Sequence, residues 1–276
     1  MAALASCACC VGRRNQEEVA VLLEVSDEKL EIIQSMTAFD NVFIRTFFDR
    51  NTVEFLLRLI LKKPELSVET VTFEHVLDDP VSKGVRLDIR AVDDAGNWMD
   101  IEFQINPREV NGRRLRYYHS RMDVQMLERG KPYTELADAC VIFICRGDPI
   151  GKGKPMYRFQ MKDQDNKVLE DGQMTLIFNA DYPGDWEYKK LMDDLKSADS
   201  KDMHYDVLKE RMKTIKEKEG EIMEAGHVLE DYLKKQEDKM KSEFVVNLLK
   251  ESIPEETIVR LADVTPEFVK RVQAQL

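Results

Sequence analysis

Residues 86–91 and 99–105 alternate polar and apolar side chains on either side of Asp93-Asp94-Ala95-Gly96-Asn97. Period-two alternation is the pattern of a β-strand with one face turned to a core. Asp94-Ala95-Gly96 fits a three-residue hairpin loop, with Gly96 in the left-handed position that closes it. Setting Asp93 opposite Asn97 fixes the register. Leu87, Ile89 and Ala91 then share a face with Met99, Ile101, Phe103 and Ile105, while Arg86, Asp88, Arg90, Asp100, Glu102 and Gln104 collect on the other. A slip of one residue would mix the two sets, so the pattern selects this pairing.

In that register Asp88 faces Glu102, Arg90 faces Asp100 and Arg86 faces Gln104. Arg90 and Asp100 are expected to pair. Asp88 and Glu102 are like charges whose Cβ atoms sit about 5 Å apart, an unfavourable arrangement without compensation. A shared proton, a neighbouring arginine or a divalent cation would each supply it. Two carboxylates at this spacing suit Mg²⁺, which takes one or two protein carboxylates and completes its octahedron with water and phosphate oxygens. Such an ion can activate water and stabilise charge on a phosphate under attack. On spacing alone, a solvated polar face neutralised by Arg86 and Arg90 explains the same residues.

A helix is expected over 113–129, directly after the hairpin. Leu115, Tyr118, Met122 and Met126 form its apolar stripe, and Arg114, Tyr117, Arg121 and Gln125 run along another. Guanidinium forks match phosphate oxygens. The chain carries 41 basic and 52 acidic residues, a net charge of -11, which excludes a non-specific, whole-surface nucleic-acid binder. Basic charge gathered beside two carboxylates in such a chain points to a polyanion, with salt bridges to the acidic C-terminal third as the competing explanation. None of the four histidines sits in a zinc or nucleophile motif, His119 included, and no glycine-rich phosphate loop follows a strand.

The remaining pattern places helices in 36–61, with Asp49 or Asn51 as a cap, and strands at 67–75, 139–146, 157–162 and 173–179. A mixed-sheet α/β fold follows. Residues 1–35 read as a lead-in with a short helix near 17–23, residues 36–180 as the α/β domain, and 185–276 as a charged helical region able to support self-association. Cys7, Cys9 and Cys10 crowd the N-terminus without metal-site spacing, and Cys140 and Cys145 lie in an apolar run. The stretch Leu4-Ala5-Ser6-Cys7 lacks the flanks of a signal. No apolar run is long enough to span a membrane, so a cytoplasmic protein is expected.

Taken together, Arg86-Leu87-Asp88-Ile89-Arg90 and Asp100-Ile101-Glu102-Phe103-Gln104 resemble the strand-borne signature of the PD-(D/E)XK nucleases. Arg114-Leu115-Arg116-Tyr117-Tyr118-His119-Ser120, Asp123, Gly130-Lys131-Pro132-Tyr133, Leu136 and Val141-Ile142-Phe143-Ile144-Cys145 narrow the likeness to the PD-(D/E)XK nuclease family transposases, relatives of the Rpn-type recombination-promoting nucleases. The resemblance runs from about residue 36 to 179, and segments near 247–250, 255–258 and 266–269 are similar to the helical tail such proteins carry. It implies a restriction-endonuclease-like mixed sheet flanked by helices, with a helical C-terminal extension. It also implies a metal-dependent DNA endonuclease using Mg²⁺, with Mn²⁺ or Ca²⁺ as alternatives. Asp88 and Glu102 match the metal-binding carboxylates. Gln104 stands where the wider superfamily usually has lysine, and can orient water but supplies no charge. Asp40 is similar to a further acidic position of the family, and Glu54 is a helix-borne acid that a solvated face explains equally well. Arg114, Arg116, Tyr117 and Arg121 are the expected contacts to the DNA backbone. Two other readings remain beside it: a DNA-binding module of the same fold that does not cleave, and a helical interaction scaffold.

Overall fold

The computed structural model describes residues 26–79 and 82–274. Three N-terminal sequence features (the crowded cysteines, the Leu4–Cys7 stretch and the short helix near 17–23) lie outside the described residues. So does the body of the 1–35 lead-in, apart from one helix, α1 (Asp27–Ser35).

Contacts divide the chain into two units, Met1–Ile222 and Met223–Leu276. In the first, α2 (Asn41–Phe47) and α3 (Arg50–Leu61) precede three strands, β1 (Val68–Asp79), β2 (Ser82–Asp93) and β3 (Trp98–Gln104). Then come α4 (Gly112–Met126), β4 (Ala139–Cys145), β5 (Met156–Phe159), β6 (Gln173–Asn179), α5 (Lys189–Lys196) and α6 (Asp206–Glu217). The six strands form one sheet in the order β1-β2-β3-β4-β6-β5. The β3–β4 and β4–β6 pairs are parallel and the others antiparallel, so the sheet is mixed.

Sequence and local structure agree closely at the hairpin. Arg90 pairs with Asp100, and Ile89 with Ile101. Gly96 has φ +82° and its N–H donates to the Asp93 carbonyl. The Asp93 carboxylate closes the loop by accepting from the N–H groups of Ala95 and Asn97 and from the Asn97 side chain. The break between α2 and α3 is capped by Asp49, whose carboxylate accepts from Thr52 N–H in a reciprocal capping box.

Helices cover both faces of the sheet. Phe39 and Phe48 meet the Phe103 ring at 5.5 and 5.3 Å between centroids on one face. On the other, Leu115, Tyr118 and Met122 of α4 pack with Val141, Phe143 and Cys145 of β4. Cys140 and Cys145 are free and buried, and desolvation pushes both thiols up to about 12. Ile105, placed by alternation on the apolar face, is instead 63% exposed, because β3 ends at Gln104.

The change of composition near residue 185 is not the boundary between the units. Leu191, Leu195, Leu208, Met212 and Ile215 of α5 and α6 are buried, and Lys216 donates to the carbonyls of Gln34, Met36 and Ala198. The charged residues there form the outer faces of helices whose apolar stripes join the first unit. The second unit comprises most of α7 (Glu219–Lys250), with α8 (Glu255–Ala262) and α9 (Pro266–Gln273), around Val245, Ile258, Val269 and Val272. No helix among the described residues is long and apolar enough to cross a membrane.

Two glycines test the turn geometry. An alanine at Gly96 meets open space and pays for positive φ alone, whereas at Gly172 (φ +76°) its Cβ would lie 2.4 Å from an Asp138 carboxylate oxygen. Thermal unfolding is expected to show Gly96→Ala losing about 1–2 kcal/mol and Gly172→Ala losing more.

Candidate active site

The β2–β3 ladder stops at the Ile89–Ile101 pair, and the two acids take over the hydrogen bonding beyond it. Asp88 N–H donates to Glu102 Oε1 at 2.9 Å, and Phe103 N–H donates to Asp88 Oδ2 at 3.2 Å. The strands are thus tied by side chain to backbone, first one way and then the other. Glu102 Oε2 accepts from Arg114 Nη2 at 3.3 Å and from the Tyr118 hydroxyl at 3.2 Å. Arg114 also donates through Nη1 to Gln104 Oε1 at 2.9 Å, and its guanidinium lies over the Tyr118 and Phe143 rings. Gln104 donates from Nε2 to Glu109 at 3.3 Å, which orients its amide with oxygen toward the arginine.

These groups open into a polar cavity of about 420 Å³ lined by Asn41, Arg86, Asp88, Glu102, Gln104 and Arg114, with Glu109 and Tyr118 at its wall. Glu102 is only 3% exposed, and Asp100, one pleat away, is fully buried. Burial raises the Asp88 carboxyl despite the Phe103 N–H, Arg86 and Arg114. Burial, then the Asp88 charge, pushes Glu102 up to about 8. Asp100 is raised well above the carboxylate range by burial and then by Glu102 and Asp88.

Arg90 and Asp100, paired in register, do not pair as charges. Arg90 sits 4.4 Å over the Trp98 ring and meets His75 Nε2 at 3.2 Å, leaving both Asp100 oxygens without a hydrogen-bond partner. The aromatic face desolvates and holds the guanidinium better than an acid already sealed under α4. Asp40 and Glu54 lie away from the cavity. Asp40 accepts from Thr37 at the start of α2, and Glu54 accepts from Val68 N–H and pairs with Arg58. Both are structural ties.

Along α4 the structure separates the basic stripe. Arg114 faces the acids. Arg116 is exposed; its carbonyl accepts from the Ser120 hydroxyl, and its guanidinium has no hydrogen-bond or ion-pair partner among the described residues. The Tyr117 hydroxyl donates to the Lys83 carbonyl, and Arg121, 7% exposed, donates inward to the Leu77 carbonyl. The stripe drawn at helical spacing straddles two faces of a helix that is covered on one, so neither Tyr117 nor Arg121 is available to a phosphate. Sequence reasoning missed Tyr118, which it assigned to the core for its ring while its hydroxyl serves Glu102. It also missed Asn41 and Glu109, whose sequence positions carry no signal of proximity. His119 is a core residue, bonded to Thr175 and held neutral by burial, down to about 4.

The donor set fits a hard divalent cation. Asp88 Oδ1 takes no hydrogen bond from any described residue, and Asp88 and Glu102 offer carboxylate oxygens to one polar cavity. Among the described residues no group of three or more His, Cys, Asp or Glu side chains is arranged to hold an ion; an ion held by Asp88 and Glu102 would draw its other ligands from water or phosphate.

The model of the PD-(D/E)XK nuclease family transposases matches residues 38–181. The chain belongs to this family. Its mixed sheet, flanking helices and helical C-terminal region have the restriction-endonuclease-like fold, and nucleases of this type generally use divalent metals. No curated protein and no solved structure matched the chain.

A glutamate raised on folding from 4.5 to about 8 keeps a proton that the unfolded chain releases, so its contribution to stability is lost as pH rises through that range. His119 opposes this only below about 6.5, and Lys216, lowered by burial to about 8, only toward pH 8 and above. Between pH 6.5 and 8 the metal-free protein should lose stability, by up to about 1.4 kcal/mol per pH unit for one proton, and its melting temperature should fall. Mg²⁺ should raise it more at pH 8 than at pH 6.5, and Glu102→Gln should flatten both trends in differential scanning fluorimetry.

Proposed function

We propose that this chain hydrolyses DNA phosphodiester bonds with a divalent cation, Mg²⁺ in the first instance, held by Asp88 and Glu102. The observation that carries the reading is the convergence of these two acids across the end of the β2–β3 ladder into a polar cavity. Family membership supplies the nuclease class. A bound dication would lower the pKa of water and stabilise charge on the phosphate under attack.

The chain's own groups do the rest. Glu102, raised by burial, would reach its charged form on exchanging its proton for a cation. Arg114 holds Glu102 and Gln104 together in one plane of hydrogen bonds and so acts as a positioning residue. Gln104 stands where a charged side chain is usual in the superfamily. Its amide, clamped between Arg114 and Glu109, keeps one further N–H with which to orient a water or a phosphate oxygen. Arg86, exposed and paired with Glu74, lines the cavity where a phosphate would enter.

Glu102 is already compensated by Arg114, and Gln104 brings no charge. These two facts favour one second reading, a module that binds DNA through this fold without cutting it. The cytoplasm remains our assignment of location, and assembly through the C-terminal helices our assignment for self-association.

Supercoiled plasmid with Mg²⁺, Mn²⁺ or Ca²⁺ separates the readings. Asp88→Asn and Glu102→Gln keep the shape of the side chains and should each reduce Mg²⁺-dependent nicking by on the order of 100-fold or more. Binding without nicking in any metal would favour the non-cleaving module. Equal nicking by parent and variants would mean that these acids are not the centre.

A further inference from the structure

On α4, three of the four side chains first placed against DNA are committed elsewhere, so the backbone contacts of a nucleic-acid substrate must come from other cations. Loop 147–155, Gly147-Asp148-Pro149-Ile150-Gly151-Lys152-Gly153-Lys154-Pro155, supplies them. It leaves β4 where Arg146 N–H donates to the Gln104 carbonyl, at the same end of the sheet as the two acids. A Cβ on Gly147 (φ +97°) would lie 3.3 Å from the Pro107 ring, so the loop rests on the 3₁₀ turn Pro107–Glu109. That turn carries Glu109 of the cavity wall.

The loop is rigidly built for a segment with three positive-φ glycines. Asp148 accepts from Ile150 N–H at 2.9 Å, Gly153 N–H at 2.7 Å and the Tyr157 hydroxyl at 2.8 Å. The Tyr157 oxygen in turn accepts from the N–H groups of Lys152 and Lys154, at 3.2 Å each. The one carboxylate of the loop is therefore spent on the loop itself. Lys152 and Lys154 are exposed, and no described carboxylate lies within ion-pair distance of either. The same holds for Arg108 in the adjoining turn and for Arg113 and Arg116 on α4. What sets Lys152 and Lys154 apart in a chain of net charge -11 is their place, on a loop that leaves β4 at the acids' end of the sheet and rests on the turn that carries Arg108 and Glu109.

We propose that loop 147–155, through Lys152 and Lys154 and with Arg108 beside it, grips the phosphodiester backbone of DNA to one side of the Asp88–Glu102 cavity. The inference rests on the nuclease reading of that cavity and names where its substrate lies. Internal bonding of the loop means that little ordering cost is paid on binding. Contacts of this kind set affinity and register and carry no sequence preference.

The test is fluorescence anisotropy of the full-length protein with a labelled duplex of roughly 30 base pairs across a salt titration, in Ca²⁺, alongside the plasmid assay in Mg²⁺. Lys152→Gln with Lys154→Gln should weaken binding by about tenfold or more near 0.1 M salt and reduce the salt slope by about two. Arginine at both positions should restore it. Lys190→Gln with Lys201→Gln, exposed lysines elsewhere in the same unit, removes the same charge and should leave affinity within about twofold. An unchanged slope in the loop variant, or equal losses in both pairs, overturns the loop assignment while the cavity reading stands. Loop-dependent binding without nicking keeps the loop and overturns cleavage. A parent that neither binds nor nicks overturns both.

Discussion

The hydrogen bonds from Arg114 and Tyr118 to Glu102 hold the functional end of this protein in place. A carboxylate 3% exposed is tolerated only when its lone pairs are met by donors, and a charge in such a place costs several kcal/mol unless paired. Both donors come from α4, so docking that helix and burying that acid are one event. The same guanidinium reaches Gln104, which fixes the third polar group of the site relative to the second. The Arg114 guanidinium lies over the Tyr118 and Phe143 rings while donating to Glu102 and Gln104, a combination that suits the planar fork of arginine and not a lysine ammonium.

Around this contact the sheet gives up regular pairing. Where a further ladder pair would extend β2 against β3, backbone N–H groups turn to carboxylate oxygens instead. The opening creates the cavity and brings the acids to it. Asp100 records the cost. It is fully buried, its oxygens lack partners, and the neighbouring acids push its carboxyl further toward the neutral form. Local rules are broken together at one place, with good packing elsewhere, which is the pattern expected where a fold trades stability for function.

Some surface cations are matched by carboxylates, such as Arg146 with Asp181 and Lys189 with Asp193. Arg108, Arg113, Lys152 and Lys154, exposed and without a described ion-pair partner, lie in a turn, a helix start and a glycine-rich loop from separate parts of the chain. An acidic protein can approach a polyanion through a local group of cations, because screening limits the reach of the distant acidic surface to about a Debye length.

Much of this was legible in the amino-acid order. Alternation across residues 86–105 selects one hairpin register because a slip would reverse every side chain, and Gly96 closes the turn that the register requires. The nearness of Asp88 to Glu102, just past the last ladder pair, and the succession of helix, three strands, helix and strand are local consequences of period and turn chemistry. What lay opposite each face was not local. Whether the polar face meets water or α4, whether Arg90 chooses Asp100 or the Trp98 ring, and whether Arg121 points in or out depend on elements far apart in sequence. Residues 189–217 likewise look solvated by composition and belong to the first unit by packing. Strand period and turns are set within a few residues by backbone sterics, and the chain states them plainly. Burial and charge partners are set by competition among surfaces that meet only after folding, and only the tertiary structure decides them.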